Sequence, residues 1–142
     1  MDEQQRRQEG MKMRRAVLGD AYVDRAVAAA TDFTTGFQDL ITRYAWGEIW
    51  TRPGLDAPTR RVLVIGTMIA LKQWDELRLH VRAAVTEGGF SADLLEEIVL
   101  QQAIYCGVPA ARTALSEIRE TLDDLAGRPR PARTAEDQRK ES

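Results

Sequence analysis

Apolar residues recur at helical spacing along most of this chain. In GFQDLITRYAWGEIW, for example, the apolar positions Phe37, Leu40, Ile41, Tyr44 and Ala45 follow the period of an α-helix. Sustained apolar/polar alternation and Asn-Gly or Asp-Gly turns, which are typical of strands and hairpins, do not occur in the sequence. The pattern therefore predicts an all-α protein, a single-domain helical bundle of about six to seven helices.

Residues that cap or break helices divide the pattern into segments: Gly19, Thr34, Pro53 and Gly54, Gly88 and Gly89, and Gly107 with Pro109. The third helix is expected to start after Thr34. Three side chains are predicted to cap the helices that follow them, namely Asp20, Asp56 and Ser91.

The fourth segment, PTRRVLVIGTMIALKQ, is apolar nearly all round between Val62 and Leu71. Such a helix in a small protein must be covered on most of its sides. Two arrangements would do this: burial between subunits of an oligomer, or an unusually central position in the core.

The 142 residues fit one domain. We expect a polar N-terminal segment over 1–13, a helical domain over 14–126, and a disordered tail over 127–142, where apolar residues are almost absent.

Composition narrows the possible partners and location. The net charge of −2 gives no reason to expect nucleic acid, and the longest apolar stretch, VLVIGTMIAL, is too short to span a membrane. A single cysteine, Cys106, excludes an internal disulfide and a multi-cysteine zinc site. The polar start of the chain predicts no secretory signal, and a single cysteine suits a reducing compartment. Together these two features favour the cytoplasm.

The single histidine, His80, lies in WDELRLHVRAAVTEG. On a helix it shares a side with Leu77, Val81 and Ala84, so it should face the interior or an interface. Glu76, four residues earlier, could orient the imidazole and raise its pKa. A structural histidine is the competing interpretation, and no metal is expected because a lone histidine lacks companion ligands.

A second unusual stretch, YAWGEIWTRPGLD, places Trp46, Glu48, Trp50 and Arg52 just before or in a Pro-Gly turn. One interpretation is a helix end with aromatic core anchors. The other is the rim of a ligand pocket, with the two tryptophans as an apolar wall.

Three stretches, YAWGEIWTRPGLD, LRLHVRAAVTEGG and AIYCGVPAARTAL, resemble in order and spacing the carboxymuconolactone decarboxylase family, a relative of alkylhydroperoxidase D. The resemblance covers roughly residues 14–125. It implies an alkylhydroperoxidase D-like helical fold and a homo-oligomer, a trimer or a hexamer. It also implies cofactor-independent decarboxylation of 4-carboxymuconolactone to the 3-oxoadipate enol-lactone, in the β-ketoadipate pathway of aromatic catabolism. A different lactone or keto acid as substrate, or a non-catalytic helical oligomer, are the alternatives.

The implied substrate, a dicarboxylate lactone, suggests roles for these residues. His80 would deliver a proton to carbon, with Glu76 or Glu48 orienting it. Arg52 and Arg82 would bind the retained carboxylate, since arginine offers a planar fork of donors. Trp46 and Trp50 would keep the departing carboxylate dry.

Peroxidase relatives of this family use a CxxCxxxH motif. Aligned on His80, this chain has Gln73 and Glu76 at the cysteine positions, so thiol redox chemistry through that motif is not expected. Cys106 is interpreted as a buried structural thiol. Arg60 and Arg61 oppose the helix dipole, which suggests a carboxylate partner such as Asp56 or one from a neighbouring chain; neither arginine is expected in the site.

Overall fold

The computed structural model describes residues 1–129 and residue 139. These residues form seven α-helices and one π-helical segment: α1 (Glu3–Leu18), α2 (Asp20–Ala29), α3 (Asp32–Ile41), the π segment (Thr42–Ile49), α4 (Ala57–Ala70), α5 (Trp74–Thr86), α6 (Ala92–Cys106) and α7 (Val108–Leu125). No strand occurs within them, and the all-α prediction is confirmed. Most of the predicted disordered tail, 127–142, lies outside the described residues.

None of the helices in the described residues combines the length and the apolar character that crossing a bilayer requires.

Two of the three predicted caps are confirmed. The Asp56 carboxylate accepts a hydrogen bond from the backbone N–H of Thr59 at 2.9 Å, and the Ser91 hydroxyl accepts one from Leu94 N–H at 3.1 Å. Each bond satisfies a first-turn N–H group that the helix itself leaves unpaired.

The cap predicted at Asp20 is wrong. Gly19 occupies the cap position with φ of 90°, which glycine tolerates, and Asp20 is the first residue of α2. The Asp20 carboxylate instead lies 3.2 Å from Nη1 of Arg15 in α1.

The start predicted for the third helix is too late. The helix begins at Asp32, because Thr31 precedes it as the cap and the Thr31 N–H donates to the Thr34 hydroxyl at 2.8 Å.

The third helix does not keep the α-helical period that its sequence suggests. It widens into the π segment at Thr42, and α1 packs closely on this segment. The approach requires two glycines: a Cβ on Gly10 would lie 1.9 Å from the Thr42 carbonyl oxygen, and one on Gly47 would lie 2.3 Å from that of Arg6. The close contact fixes the segment that carries Trp46.

The core has two parts, and α5 contributes to both. The larger part lies among α4, α5, α6 and α7, and includes Ile65, Ile69, Leu77, Val81, Leu95 and Ala114. The smaller part joins α1, α2, the π segment and α5 through Val17, Leu18, Val23, Trp46 and Ala83. Helix α5 is therefore held on two sides, which gives the side chains on it a fixed position.

Helix α4 is not buried all round in the single chain. Ile65 and Ile69 are fully buried, but Leu63 and Leu71 are 55% and 62% exposed. The alternative of an unusually central core helix, covered on most sides within one chain, is therefore wrong, and one apolar side of α4 and of the residue that follows it faces outward.

Candidate active site

His80 faces inward from α5, as predicted. The side chains that share its side of the helix, Leu77, Val81 and Ala84, are fully buried. The imidazole itself remains 15% exposed, so it lies at the margin of the core and retains access to the surface.

The pKa of His80 is lowered to about 4, which reverses the expected direction. Burial is the larger cause, and the positive charge of Arg61 adds to it. Glu76 lies 3.8 Å from His80 Nε2, but its side chain is 55% exposed, so water screens its attraction for a protonated imidazole. His80 is therefore neutral at pH 7 in the isolated chain.

This lowered pKa predicts a pH-dependent loss of stability. Between pH 6.5 and pH 4 the unfolded chain binds a proton on His80 and the folded chain does not, so the free energy of unfolding falls as the pH falls through this window. From pH 7 to pH 5 the loss from this residue is on the order of 2 kcal/mol. Denaturant unfolding of the wild type and His80→Gln at both pH values measures it, because only the wild type should show this part of the loss. Equal losses in both proteins would contradict the assigned burial.

Arg61 is the site residue that the sequence interpretation left out. It lies on α4 and is only 6% exposed, and burial lowers the pKa of its guanidinium. Within the described residues, no hydrogen bond and no ion pair within 4.0 Å satisfies that guanidinium; Glu87 attracts it only at longer range. Of the two suggested partners, Asp56 does not pair with Arg61, since its carboxylate caps α4, and a carboxylate of a neighbouring chain stays a prediction. The positive charge of Arg61 at the start of α4 does mark an unusual position in the sequence. Residue spacing along the chain, however, does not reveal which side chains of other helices lie near it.

The two tryptophans lie together near α5. Their ring centroids are 5.1 Å apart with planes tilted by 31°. Trp46 is buried in the smaller core part with Ala83, one turn along α5 from His80, and Trp50 is half-buried against it. Trp46 thus fits the core-anchor interpretation, while Trp50 retains a surface that a ligand could contact.

Glu48 does not contact His80 in the described part of the chain. Its carboxylate accepts a hydrogen bond from Arg6 Nε at 3.1 Å, which ties the π segment to α1. Of the two glutamates proposed to orient the imidazole, the structure brings only Glu76 close to it.

The two arginines expected to bind substrate are more exposed than Arg61. Arg52 lies in the turn after the π segment, where its carbonyl oxygen accepts a hydrogen bond from Arg60 Nη2 at 3.0 Å. The side chain of Arg82 is 48% exposed and lies 3.7 Å from Asp124.

Two clefts flank this region. One, of about 210 Å³, lies between α2 and α5 and is lined by Arg25, Arg82 and Glu87 among others. The other, of about 560 Å³, is an open apolar groove between α4 and α6 that includes Leu63, Gly66 and Leu94. Neither of these two clefts is lined by His80 or Arg61.

Cys106, predicted to be buried, is half-buried at the end of α6. No other cysteine exists in the sequence, so a thiol pair of the peroxidase kind cannot form within the chain.

The fold and the site define a class: a small all-α protein whose inward-facing histidine and buried arginine lie on adjacent helices, without the cysteine pair of the thiol peroxidases. The chain belongs to the carboxymuconolactone decarboxylase family, whose model matches residues 35–120. The resemblance identified from the three sequence stretches is confirmed.

Among the relatives, the 4-carboxymuconolactone decarboxylase of Acinetobacter baylyi is 40% identical over 125 residues, covering 88% of this chain and 92% of the relative. The nitrosuccinic acid decarboxylase of Metarhizium robertsii is 44% identical over 117 residues, covering 82% and 81%. A 4-carboxymuconolactone decarboxylase of Pseudomonas putida is 56% identical over 48 residues, covering 34% of this chain and all of the relative. All three relatives are named as decarboxylases, although not for one substrate.

Proposed function

We propose that this protein decarboxylates 4-carboxymuconolactone to the 3-oxoadipate enol-lactone without a cofactor, as a cytoplasmic enzyme of the β-ketoadipate pathway. The observation that carries the proposal is its 40% identity to the Acinetobacter baylyi enzyme over 88% of the chain. The inward-facing His80 supports it, because this chemistry needs a proton donor at the edge of a dry site.

The substrate itself can delocalise the electron pair that the loss of CO₂ leaves behind. The bond between the ring carbon and the departing carboxylate breaks, CO₂ leaves, and the electron pair delocalises through the ring double bond into the lactone carbonyl. One proton then adds to the carbon next to that carbonyl. The protein has to hold the retained carboxylate, favour negative charge on the lactone oxygen and deliver the proton.

His80 is the proposed proton donor, with Glu76 as the carboxylate that orients it. Since the resting imidazole is neutral, it must gain a proton when the dianionic substrate arrives and raises its pKa. Glu48, held by Arg6, is the alternative partner only after a rearrangement of that ion pair.

Arg52 and Arg82 are proposed to attract the retained carboxylate from solvent, where their exposure leaves them accessible. Trp46 and Trp50 are proposed to shield the departing carboxylate from water, because a poorly solvated carboxylate loses CO₂ more readily.

The test is an assay of the purified protein with carboxymuconolactone, followed by the loss of ultraviolet absorbance and identification of the product. A second candidate, decarboxylation of nitrosuccinate, is favoured by the similarity to the Metarhizium robertsii enzyme. The same assay with nitrosuccinate separates the two: the higher kcat/KM identifies the substrate. No turnover of carboxymuconolactone by folded protein would refute the first proposal.

We also propose that the protein acts as a homo-oligomer, a trimer or a hexamer. The isolated chain exposes large apolar side chains on several helices: Phe33, Phe37, Leu63, Leu71, Ile104 and Tyr105. Exposed apolar side chains in this number are typical of a chain that buries them against a partner.

Replacing Ile104, which is 80% exposed on α6, with lysine is expected to weaken this assembly. A charge placed in an apolar interface loses its hydration without a partner. Light scattering after size exclusion should show a large shift toward the mass of one chain, while the matched change Gln8→Lys, at an exposed polar position on α1, should leave the mass unchanged. A wild type that is monomeric at micromolar concentration would contradict the oligomer.

A further inference from the structure

Two arginines are buried in the described part of the chain, and they differ in the hydrogen bonds of their Nη atoms. Arg14 is 4% exposed and donates hydrogen bonds from its two Nη atoms to Gln38 at 2.9 Å and to Thr42 at 3.4 Å, while its buried Nε has no partner among the described residues. Arg61 is 6% exposed and has no such bond to a described residue. None of the Arg61 nitrogens is among the fully buried side-chain atoms that lack a partner in the described residues, so the guanidinium reaches the surface with its donors open to a ligand.

The backbone around Arg61 makes room for it. Were a Cβ present on Gly88, it would lie 2.7 Å from Nε of Arg61 and 2.8 Å from the carbonyl oxygen of Ala84. Gly88 is not among the residues with positive φ, so this position needs a glycine for space and not for backbone conformation. A side chain at position 88 would therefore press on both the guanidinium and the Ala84 carbonyl oxygen.

We propose that Arg61, kept in place by the space at Gly88, is the buried group that binds the retained carboxylate of a dicarboxylate substrate beside His80. A guanidinium without a protein partner can offer both arms of its donor fork to a carboxylate. The exposed arginines, Arg52 and Arg82, would guide the dianion, and Arg61 would fix its orientation. This assignment deepens the proposed decarboxylase function and rests on it for the identity of the substrate.

The chemistry decides which carboxylate Arg61 binds. An ion pair with the departing carboxylate would stabilise its negative charge and oppose the loss of CO₂. A bond to the retained carboxylate has no such cost. 4-Carboxymuconolactone and nitrosuccinic acid, the substrates in the names of two relatives, each have two carboxyl groups, one to lose and one to retain.

Binding of a carboxylate at Arg61 would also raise the pKa of His80. The positive charge of Arg61 is one of the two causes that depress the His80 pKa, and a bound carboxylate would neutralise it. Other charged groups on α5 or paired with it are Asp75, Glu76, Arg78 and Arg82 of that helix, Glu87 just after it, and Glu117 and Asp124 of α7, which pair with Arg78 and Arg82. The bound dianion would thus raise the pKa of the imidazole, which would take from water the proton that the reaction consumes.

The experiment uses succinate as a non-reacting dicarboxylate probe. Calorimetry measures its affinity, and proton NMR follows the single histidine of each chain as a function of pH. The variants are Arg61→Met, which removes the charge but retains the length, and Gly88→Ala, which displaces the guanidinium. Arg14→Met is the matched control, a buried arginine whose hydrogen bonds lie with α3 and the π segment.

We expect Arg61→Met and Gly88→Ala to weaken succinate binding at least tenfold, the usual effect of losing a charge-assisted pair, and Arg14→Met to leave it unchanged. Without ligand, Arg61→Met should raise the His80 pKa above about 4 but not to 6.5, because burial remains. Succinate should raise that pKa in the wild type and not in Arg61→Met. The melting temperature of Arg61→Met should not fall, since the guanidinium has no hydrogen bond or ion pair to a described residue that the substitution would remove.

Three results would overturn the assignment: no succinate binding by the wild type, equal binding by Arg61→Met, or a fall in its melting temperature with binding intact. The experiment also distinguishes a failure of the Arg61 assignment from a failure of the proposed function. Succinate binding that depends on Arg61, in a protein that does not turn over carboxymuconolactone, would support this site and refute that substrate. Full turnover of carboxymuconolactone by Arg61→Met would support that substrate and refute the role of Arg61.

Discussion

Replacing His80 with glutamine is expected to lower kcat for decarboxylation by about 10²- to 10⁴-fold, the usual contribution of a positioned acid or base. Glutamine has similar size and remains neutral, so the inward-facing position on α5 should be preserved. It cannot carry a proton to carbon. After CO₂ leaves, the dienolate in this variant would take its proton from water, which has little access to a site where the natural side chain is only 15% exposed.

Steady-state absorbance assays at saturating substrate measure this effect, with circular dichroism and particle mass to confirm folding and assembly. Glu76→Gln should cost much less, under about tenfold, because that carboxylate is solvent-screened and 3.8 Å from the imidazole. A folded His80→Gln protein with near-normal kcat would remove His80 from the mechanism.

The largest effect on stability is expected from Gly10→Ala. The new Cβ would lie 1.9 Å from the backbone carbonyl oxygen of Thr42, and a backbone atom cannot move aside as a side-chain end can. Helix α1 would have to separate from the π segment. The free energy of unfolding should fall by about 3 kcal/mol or more, at or above the upper range for overpacking.

Gly36→Ala is the matched control for that prediction. Gly36 also lies inside a helix, α3, but a Cβ added there would meet no atom within 4 Å. Alanine at this position should stabilise the protein by up to about 1 kcal/mol, because alanine favours the helix over glycine. Denaturant unfolding measures the free energy of unfolding of both variants. Relative to the wild type, it should fall in Gly10→Ala and rise in Gly36→Ala. A Gly10→Ala protein as stable as Gly36→Ala would show that α1 does not pack on the π segment as described.

Local rules predicted much of the fold. The helix end near Gly19 and the caps at Asp56 and Ser91 depend on residues adjacent in sequence, and each is confirmed. The π segment was missed because its extra width is set by the packing of α1 through Gly10 and Gly47, and neither glycine stands out within helical sequence. Asp20 was misjudged for a related reason: a glycine precedes it and takes the cap position.

The candidate site was only partly predictable. The inward direction of His80 follows from the spacing of Leu77, Val81 and Ala84, and it is confirmed. The predicted direction of its pKa shift is wrong, because burial of the imidazole, the larger cause, and the positive charge of Arg61 from another helix outweigh the exposed Glu76 four residues away. A buried guanidinium reaches its place through tertiary contacts, which spacing along one chain does not reveal.

If the enzyme itself, through His80, places the proton on the carbon next to the lactone carbonyl, that proton must arrive from one side. Decarboxylation of carboxymuconolactone in D₂O, with the product examined at once by NMR, measures this. We expect one deuterium on a single face of that carbon for the wild type, and a mixture of faces in any residual product of His80→Gln. Deuterium on both faces equally from the wild type would mean that bulk solvent protonates the dienolate, and would contradict the role of His80.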